Sequence, residues 1–143
     1  MKKLIKSISL LILAALLLAG LSGCGRKSES DAQLWSTAAY TENTELGDGE
    51  KSFTLHVTAG ETSVIFTIHT DKTLLGDALK DNALITGEEG QYGLYIKTVN
   101  GIRADYDEDG YYWAFYIGGD YAPSGIDATE ITEGAEYSLV REK

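Results

Sequence analysis

The sequence has a single cysteine, Cys24, so no intrachain disulfide can form and a disulfide-stapled fold is excluded. It is poor in basic residues, with 12 Lys and Arg against 22 Asp and Glu and a net charge of −10. Such a surface repels phosphate backbones, and with no basic patch in the chain nucleic acid is excluded as a partner. Nucleophilic machinery is missing too: there is no Gly-x-Ser-x-Gly elbow and no phosphate-cradling glycine loop, and Ser124 has no histidine near it in sequence. Glu88-Glu89 and the acids at Asp105 to Asp109 fall in expected turns, without apolar cover to raise a pKa. Catalysis is therefore not expected. Both histidines, His56 and His69, lack a companion at ligand spacing, so no metal site is expected either.

No apolar run reaches the length of a membrane span. The one that exists, Ile8 to Leu18, follows Lys2, Lys3 and Lys6 and has the length of a signal-peptide h-region. It ends in Leu21-Ser22-Gly23-Cys24, which resembles the lipobox of bacterial lipoproteins. The resemblance implies cleavage before Cys24 and acylation of that residue, with several acyl chains giving a stable anchor. Residues 1–23 are thus expected to be a lipoprotein signal peptide, and the rest an extracytoplasmic protein held at a cell membrane. Residues 24–51, rich in Ser, Thr, Glu, Asp and Gly, are expected to form the lipidated N-terminus and a flexible tether, with Leu34, Trp35, Tyr40 and Leu46 isolated in it.

Residues 52–143 carry the periodicities of one domain. Ser52 to Thr58 and Thr62 to Thr70 alternate apolar and polar residues around Ala59-Gly60-Glu61, which predicts a β-hairpin. Thr73 to Leu84 changes to a helical period, with Asp71 or Thr73 as candidate caps and Gly87 beyond its end. Tyr92 to Val99 predicts a strand ending at Asn100-Gly101. Asp105 to Gly110 begins like a calcium loop, but position twelve is Tyr116 instead of a bidentate Glu, so an acidic turn is expected. Tyr111 to Ile117 predicts an aromatic strand, and Glu136 to Glu142 a last one. Hairpin, helix, strands, final strand is the order of an α+β fold of β-grasp type, a mixed sheet packed on one short helix.

Between the last two strands lies Gly118-Gly119-Asp120-Tyr121-Ala122-Pro123-Ser124-Gly125-Ile126, dense in turn formers yet carrying apolar and aromatic residues. An aromatic strand running into such a loop suggests a small-molecule contact surface. The candidate ligand-binding residues are Trp113, Tyr116, Asp120, Tyr121, Ala122, Ser124, Gly125 and Ile126.

Four segments, T-L-L-G-D-A-L at Thr73 to Leu79, Y-G-L-Y-I-K-T-V-N-G at Tyr92 to Gly101, Y-Y-W-A-F-Y-I-G-G at Tyr111 to Gly119 and S-G-I-D at Ser124 to Asp127, resemble the DUF4430 domain. That family is similar to the C-terminal domain of transcobalamin and intrinsic factor and to other soluble ligand-binding β-grasp domains. The resemblance implies contact with one face of a corrinoid, a cobalamin-like ligand, through Trp113 and the loop Asp120 to Gly125. It implies no intrinsic cofactor. The cobalamin carriers close on their ligand with a helical barrel that this sequence lacks, so one-sided contact is implied, with a barrel protein or a transporter as a candidate partner. The alternative is a cell-surface protein-interaction module that docks a transporter, a surface polymer or a partner protein through its strand edge or tyrosines.

Overall fold

The computed structural model describes residues 30–143. The signal peptide and Cys24 lie outside the described residues. Among the described residues no helix is long and apolar enough to cross a membrane.

Two nine-residue strands start the sheet: β2 (Lys51–Ala59) and β3 (Thr62–Thr70) pair antiparallel around Gly60-Glu61, with Phe53 opposite Ile68, Leu55 opposite Phe66 and Val57 opposite Val64. All six side chains are buried, which the strict alternation of both runs requires once one face is covered. An additional strand, β1 (Thr44–Gly47), runs parallel to β3 at one edge. On the other side β9 (Glu136–Glu142) pairs parallel with β2 and antiparallel with β7 (Tyr112–Ile117), and the two-residue β8 (Asp120–Tyr121) completes the order β1-β3-β2-β9-β7-β8. The parallel pairing of the first hairpin strand with the last strand is the arrangement expected of a β-grasp sheet.

Leu75, Ala78 and Leu79, from the helix Leu75–Asp81, are fully buried in the same core as these strands. The helix is shorter than its periodicity suggests, and no side chain caps it. Its first N–H groups are met by backbone instead, with Leu75 N donating to Thr129 O at 2.9 Å and a bridge joining Leu74 to Glu130. At its end Ala83 takes a left-handed φ of 54° and Leu84 N returns to Leu79 O, so the stop lies before Gly87. Gly87 sits in a second, three-stranded sheet of β4 (Ile85–Gly90), β5 (Gly93–Val99) and β6 (Ile102–Arg103). The expected turn at Glu88-Glu89 is thus a strand, with a register shift between Thr86 and Gly87.

The tether expectation is corrected for residues 30–51. Ser30 caps a helical turn at Asp31–Leu34 that continues as a 3-10 turn at Trp35–Thr37, and Leu34 and Trp35 are buried. The Trp35 Nε1–H donates to Ala59 O at 2.9 Å, Tyr40 packs edge-on against Phe66 at 5.6 Å, and Leu46 leans on the core from β1. Asn100 clasps the segment from below: its Oδ1 accepts from Tyr40 N at 2.9 Å, its Nδ2 donates to Tyr40 O at 2.8 Å, and its own carbonyl accepts from Ala39 N at 2.9 Å. The four isolated apolar residues of the polar stretch are therefore the ones that dock it. The packed domain therefore includes residues 30–51 and does not begin at Ser52.

Candidate functional site

The aromatic strand and the loop after it meet β5 across an open cleft of about 360 Å³. On one side stand Trp113 and Phe115 of β7 with Tyr112, on the opposite side Tyr92, Leu94, Tyr95 and Ile96, and the loop from Tyr121 to Ile126 forms the end. Of the eight candidate ligand-binding residues, six line the cleft: Trp113, Tyr121, Ala122, Ser124, Gly125 and Ile126. Tyr116 and Asp120 do not. Side chains alternate between faces along β7, which turns Tyr116 away from Trp113, and its hydroxyl donates to Glu142 Oε1 at 2.6 Å. It touches the site at Tyr121, whose ring it meets edge-on at 5.5 Å.

The β5 wall was not anticipated. Tyr92 and Leu94 lie in the expected strand, but nothing in their alternation says which element faces them. Tyr92 is 91% exposed at the hairpin tip and Tyr121 is 64% exposed across from it. Large aromatic surfaces left in water are unusual when paired across a concave site, and they are suited to contact with a flat apolar partner.

Local sequence builds the cleft's shape. Gly118 and Gly119, with φ of 57° and 88°, form the two-residue turn that a tight hairpin needs. Pairing between β7 and β8 then stops after Tyr116–Tyr121, and Ala122 N donates to Phe115 O at 3.0 Å as the chain departs. Beyond Pro123 the loop is anchored by Thr129, whose Oγ1 donates to Gly125 O at 2.9 Å, and then turns into the 3-10 segment Ile126–Ala128 with Ile126 buried. Asp127 joins the two sides of the cleft. Its Oδ2 accepts from Leu94 N at 3.1 Å, and a β-carbon at Gly93 would lie 2.7 Å from its Oδ1. Only glycine at 93, with φ of 104°, lets β5 approach that carboxylate.

Two features give the site its chemistry. Trp113 is 6% exposed, and its Nε1 is the one buried side-chain polar atom among the described residues without a hydrogen-bond partner. Such an orphan is costly unless something supplies an acceptor. Beside the cleft, Glu142 takes hydrogen bonds from both Tyr116 and Tyr112. The Glu142 bond, with burial, pushes the Tyr116 pKa up to about 12, while burial and then the Glu142 bond raise that of Tyr112. Both tyrosines are therefore neutral hydroxyl groups across the physiological range.

The acidic stretch is a structural knot. Asp105 caps the helical turn Tyr106–Asp109, and Gly110 closes it with a left-handed φ of 75°. The Asp105 carboxylate meets Lys97 Nζ at 3.0 Å and Arg103 Nη2 at 3.2 Å, while Asp109 takes Arg141 Nη2 at 3.2 Å. The hydrogen bond from Lys97 leads the effects that hold the Asp105 pKa below its usual value, and the same bond raises that of Lys97. No group of three or more His, Cys, Asp and Glu side chains placed to hold a metal occurs among the described residues.

A mixed sheet grasping one helix, with a second hairpin facing its aromatic strand across a cleft, defines an α+β domain of β-grasp type with a concave aromatic site. The chain carries a DUF4430 domain, described as a domain of unknown function, over residues 71–136. A crystal structure from Ruminococcus gnavus named "putative metal binding protein" is 34% identical, has a TM-score of 0.62, and aligns over 66% of this chain and 98% of its own. Haptocorrin, in its crystal structure in complex with Cbi, is 24% identical with a TM-score of 0.50, over 68% of this chain and 26% of its own. At that identity the likeness is one of fold, and the chain spans about a quarter of haptocorrin. No curated protein matches the chain.

Proposed function

We propose that this protein is a membrane-anchored, extracytoplasmic ligand-binding lipoprotein whose cleft contacts one face of a corrinoid-type ligand, and that it binds without catalysis. The observation that carries the reading is the aromatic cleft with the buried, unpartnered Trp113 Nε1–H on its wall. An amphipathic ring with hydrogen-bonding substituents matches such a site, since aromatic rings cover its faces and the indole N–H takes an acceptor. The likeness of fold to haptocorrin, crystallised with Cbi, supports that ligand class. An open cleft of about 360 Å³ suits one-sided contact, with a helical-barrel protein or a transporter covering the other face. Binding without chemistry accords with the titratable groups at hand, because those lining the cleft are tyrosines, and His69 is engaged with Glu45 at 2.6 Å in the β1–β3 pair. A metal-binding reading has no donor set to rest on among the described residues.

Calorimetric titration of the full chain with cobinamide and with cobalamin tests the proposal, with Trp113→Ala and Tyr121→Ala alongside. Saturable binding that both substitutions abolish is the expected result. Absence of binding at millimolar ligand overturns single-chain binding. That outcome would favour the second reading, a protein-docking module, for which the exposed tyrosines Tyr92, Tyr106 and Tyr121 speak.

A further inference from the structure

The direction of each backbone group along β7 can be read from two hydrogen bonds. Gly118 N donates to Glu136 O at 2.9 Å, just past the pair Ile117–Tyr137. In an antiparallel ladder, successive residues alternate between those whose N–H and C=O face one neighbouring strand and those that face the other. That bond therefore assigns Tyr112, Ala114 and Tyr116 to β9, and Trp113, Phe115 and Ile117 to the opposite edge. The bond from Ala122 N to Phe115 O lies on that opposite edge, as the alternation demands. The edge is covered by β8 at Tyr116 and Ile117, and Phe115 O is met by Ala122. At Trp113 it is open, since β7 has only β9 and β8 as neighbours among the described strands.

Trp113 thus presents three polar groups that no strand satisfies: its backbone N–H, its backbone C=O and its indole Nε1–H, which has no partner. The residue is almost fully buried, and it lines the cleft. Two donors and one acceptor on one residue ask for a group that both accepts and donates. Resting on the ligand-binding reading above, we infer that the Trp113 edge of β7 is a carboxamide subsite, in which the ligand's amide pairs with the strand as a neighbouring peptide group would. The amide C=O accepts from the Trp113 N–H or indole N–H, and the amide N–H donates to the Trp113 C=O. Aromatic walls then bind the ring system and the open edge chooses its substituents.

The test compares two forms of one macrocycle on the full chain: cobinamide, whose periphery carries carboxamides, and the heptamethyl ester of cobyrinic acid, in which esters replace them. Esters accept but cannot donate. The amide form is expected to bind at least about tenfold more tightly, the worth of one donor–acceptor bond in a water-poor site. Cobinamide should also slow hydrogen exchange at the Trp113 amide while leaving that of Ala114, already turned to β9, unchanged. Trp113→Phe removes the indole donor alone and is expected to weaken both forms without erasing their ratio. Equal affinity of the two forms, or an unaltered Trp113 exchange rate with cobinamide bound, overturns the subsite and leaves the corrinoid reading standing. Failure of both forms to bind overturns the two together.

Discussion

Replacing Trp35 by Ala tests whether the N-terminal segment belongs to the domain. Trp35 is 8% exposed, and its Nε1–H donates to Ala59 O in a buried bond of 2.9 Å. Truncating a buried aromatic costs about 3–5 kcal/mol. The site lies at the end of β2 rather than at the core's centre, and the segment can undock as a unit, so the lower end of that range applies, about 3 kcal/mol. Trp35→Phe keeps most of the packing and loses the hydrogen bond, which is worth about 1–2 kcal/mol when the acceptor stays buried. Urea unfolding of the full chain, followed by far-UV circular dichroism, measures both. A loss graded from Phe to Ala is expected, with the m-value unchanged if unfolding stays two-state. A Trp35→Ala loss below about 1 kcal/mol would refute the reasoning and return the segment to the status of a tether.

Asn100 should matter for two separable reasons. It is fully buried at a left-handed φ of 51° and makes two side-chain bonds to Tyr40. Asn100→Gly removes the bonds and relieves φ, for a loss of about 2 kcal/mol; Asn100→Ala adds the left-handed penalty, about 1 kcal/mol more. Denaturation midpoints of the two variants separate the terms, and equal losses would show that φ carries no strain. At high pH, the raised Tyr116 pKa of about 12 makes a signed prediction. The folded state holds a proton that the unfolded chain releases near its ordinary value of 10, so this contribution is whole below pH 10 and is lost between pH 10 and 12. Stability should fall less steeply across that window in Tyr116→Phe, as monitored by denaturation at fixed pH values; parallel curves would count against the Glu142 bond. Asp127→Ala is expected to cost only about 1 kcal/mol of stability, the bond to Leu94 N, but to weaken cobinamide binding several-fold by letting the β5 wall swing away from the loop. Unchanged affinity would mean that the cleft's width is set elsewhere.

The long alternating strands, the helix and the aromatic strand could be read from the chain because each repeats its pattern over enough residues to name a buried face. β1 could not. Thr-Glu-Leu-Gly contains one apolar residue, Leu46, and forms by laying its backbone along the open edge of β3, a partner that local pattern cannot reveal. β4 hid for a related reason, since five of its six residues are exposed and the register shift near Gly87 breaks the alternation. The helix lost its expected caps because backbone groups from Thr129 and Leu79, far and near, met the needs that side chains were expected to fill. At the site, five of the six lining candidates, Tyr121, Ala122, Ser124, Gly125 and Ile126, are neighbours in sequence, and Trp113 lies on the strand that leads into them, so the pattern could gather them. Tyr116 does not line the cleft although Tyr112 and Tyr121, on its side of the sheet, do, so the alternation along β7 does not by itself select the lining residues.

The alternation of backbone groups along β7 governs what the cleft can recognise. A longer β8 would have paired with the Trp113 backbone and closed that edge, leaving the indole N–H as the residue's one free polar group. The Gly118-Gly119 turn starts a hairpin, and Ala122 is the last residue of it to bond β7, through Phe115 O. The chain then turns through Ser124 and Gly125 toward Asp127, where β5 is held. Ending β8 after two residues therefore leaves the strand edge bare at the residue whose indole also lacks a partner, and holds an aromatic wall opposite it. Polar vacancy and aromatic cover arise from one truncated hairpin, so changes that lengthen β8 should weaken ligand selectivity even where they leave the sheet more stable.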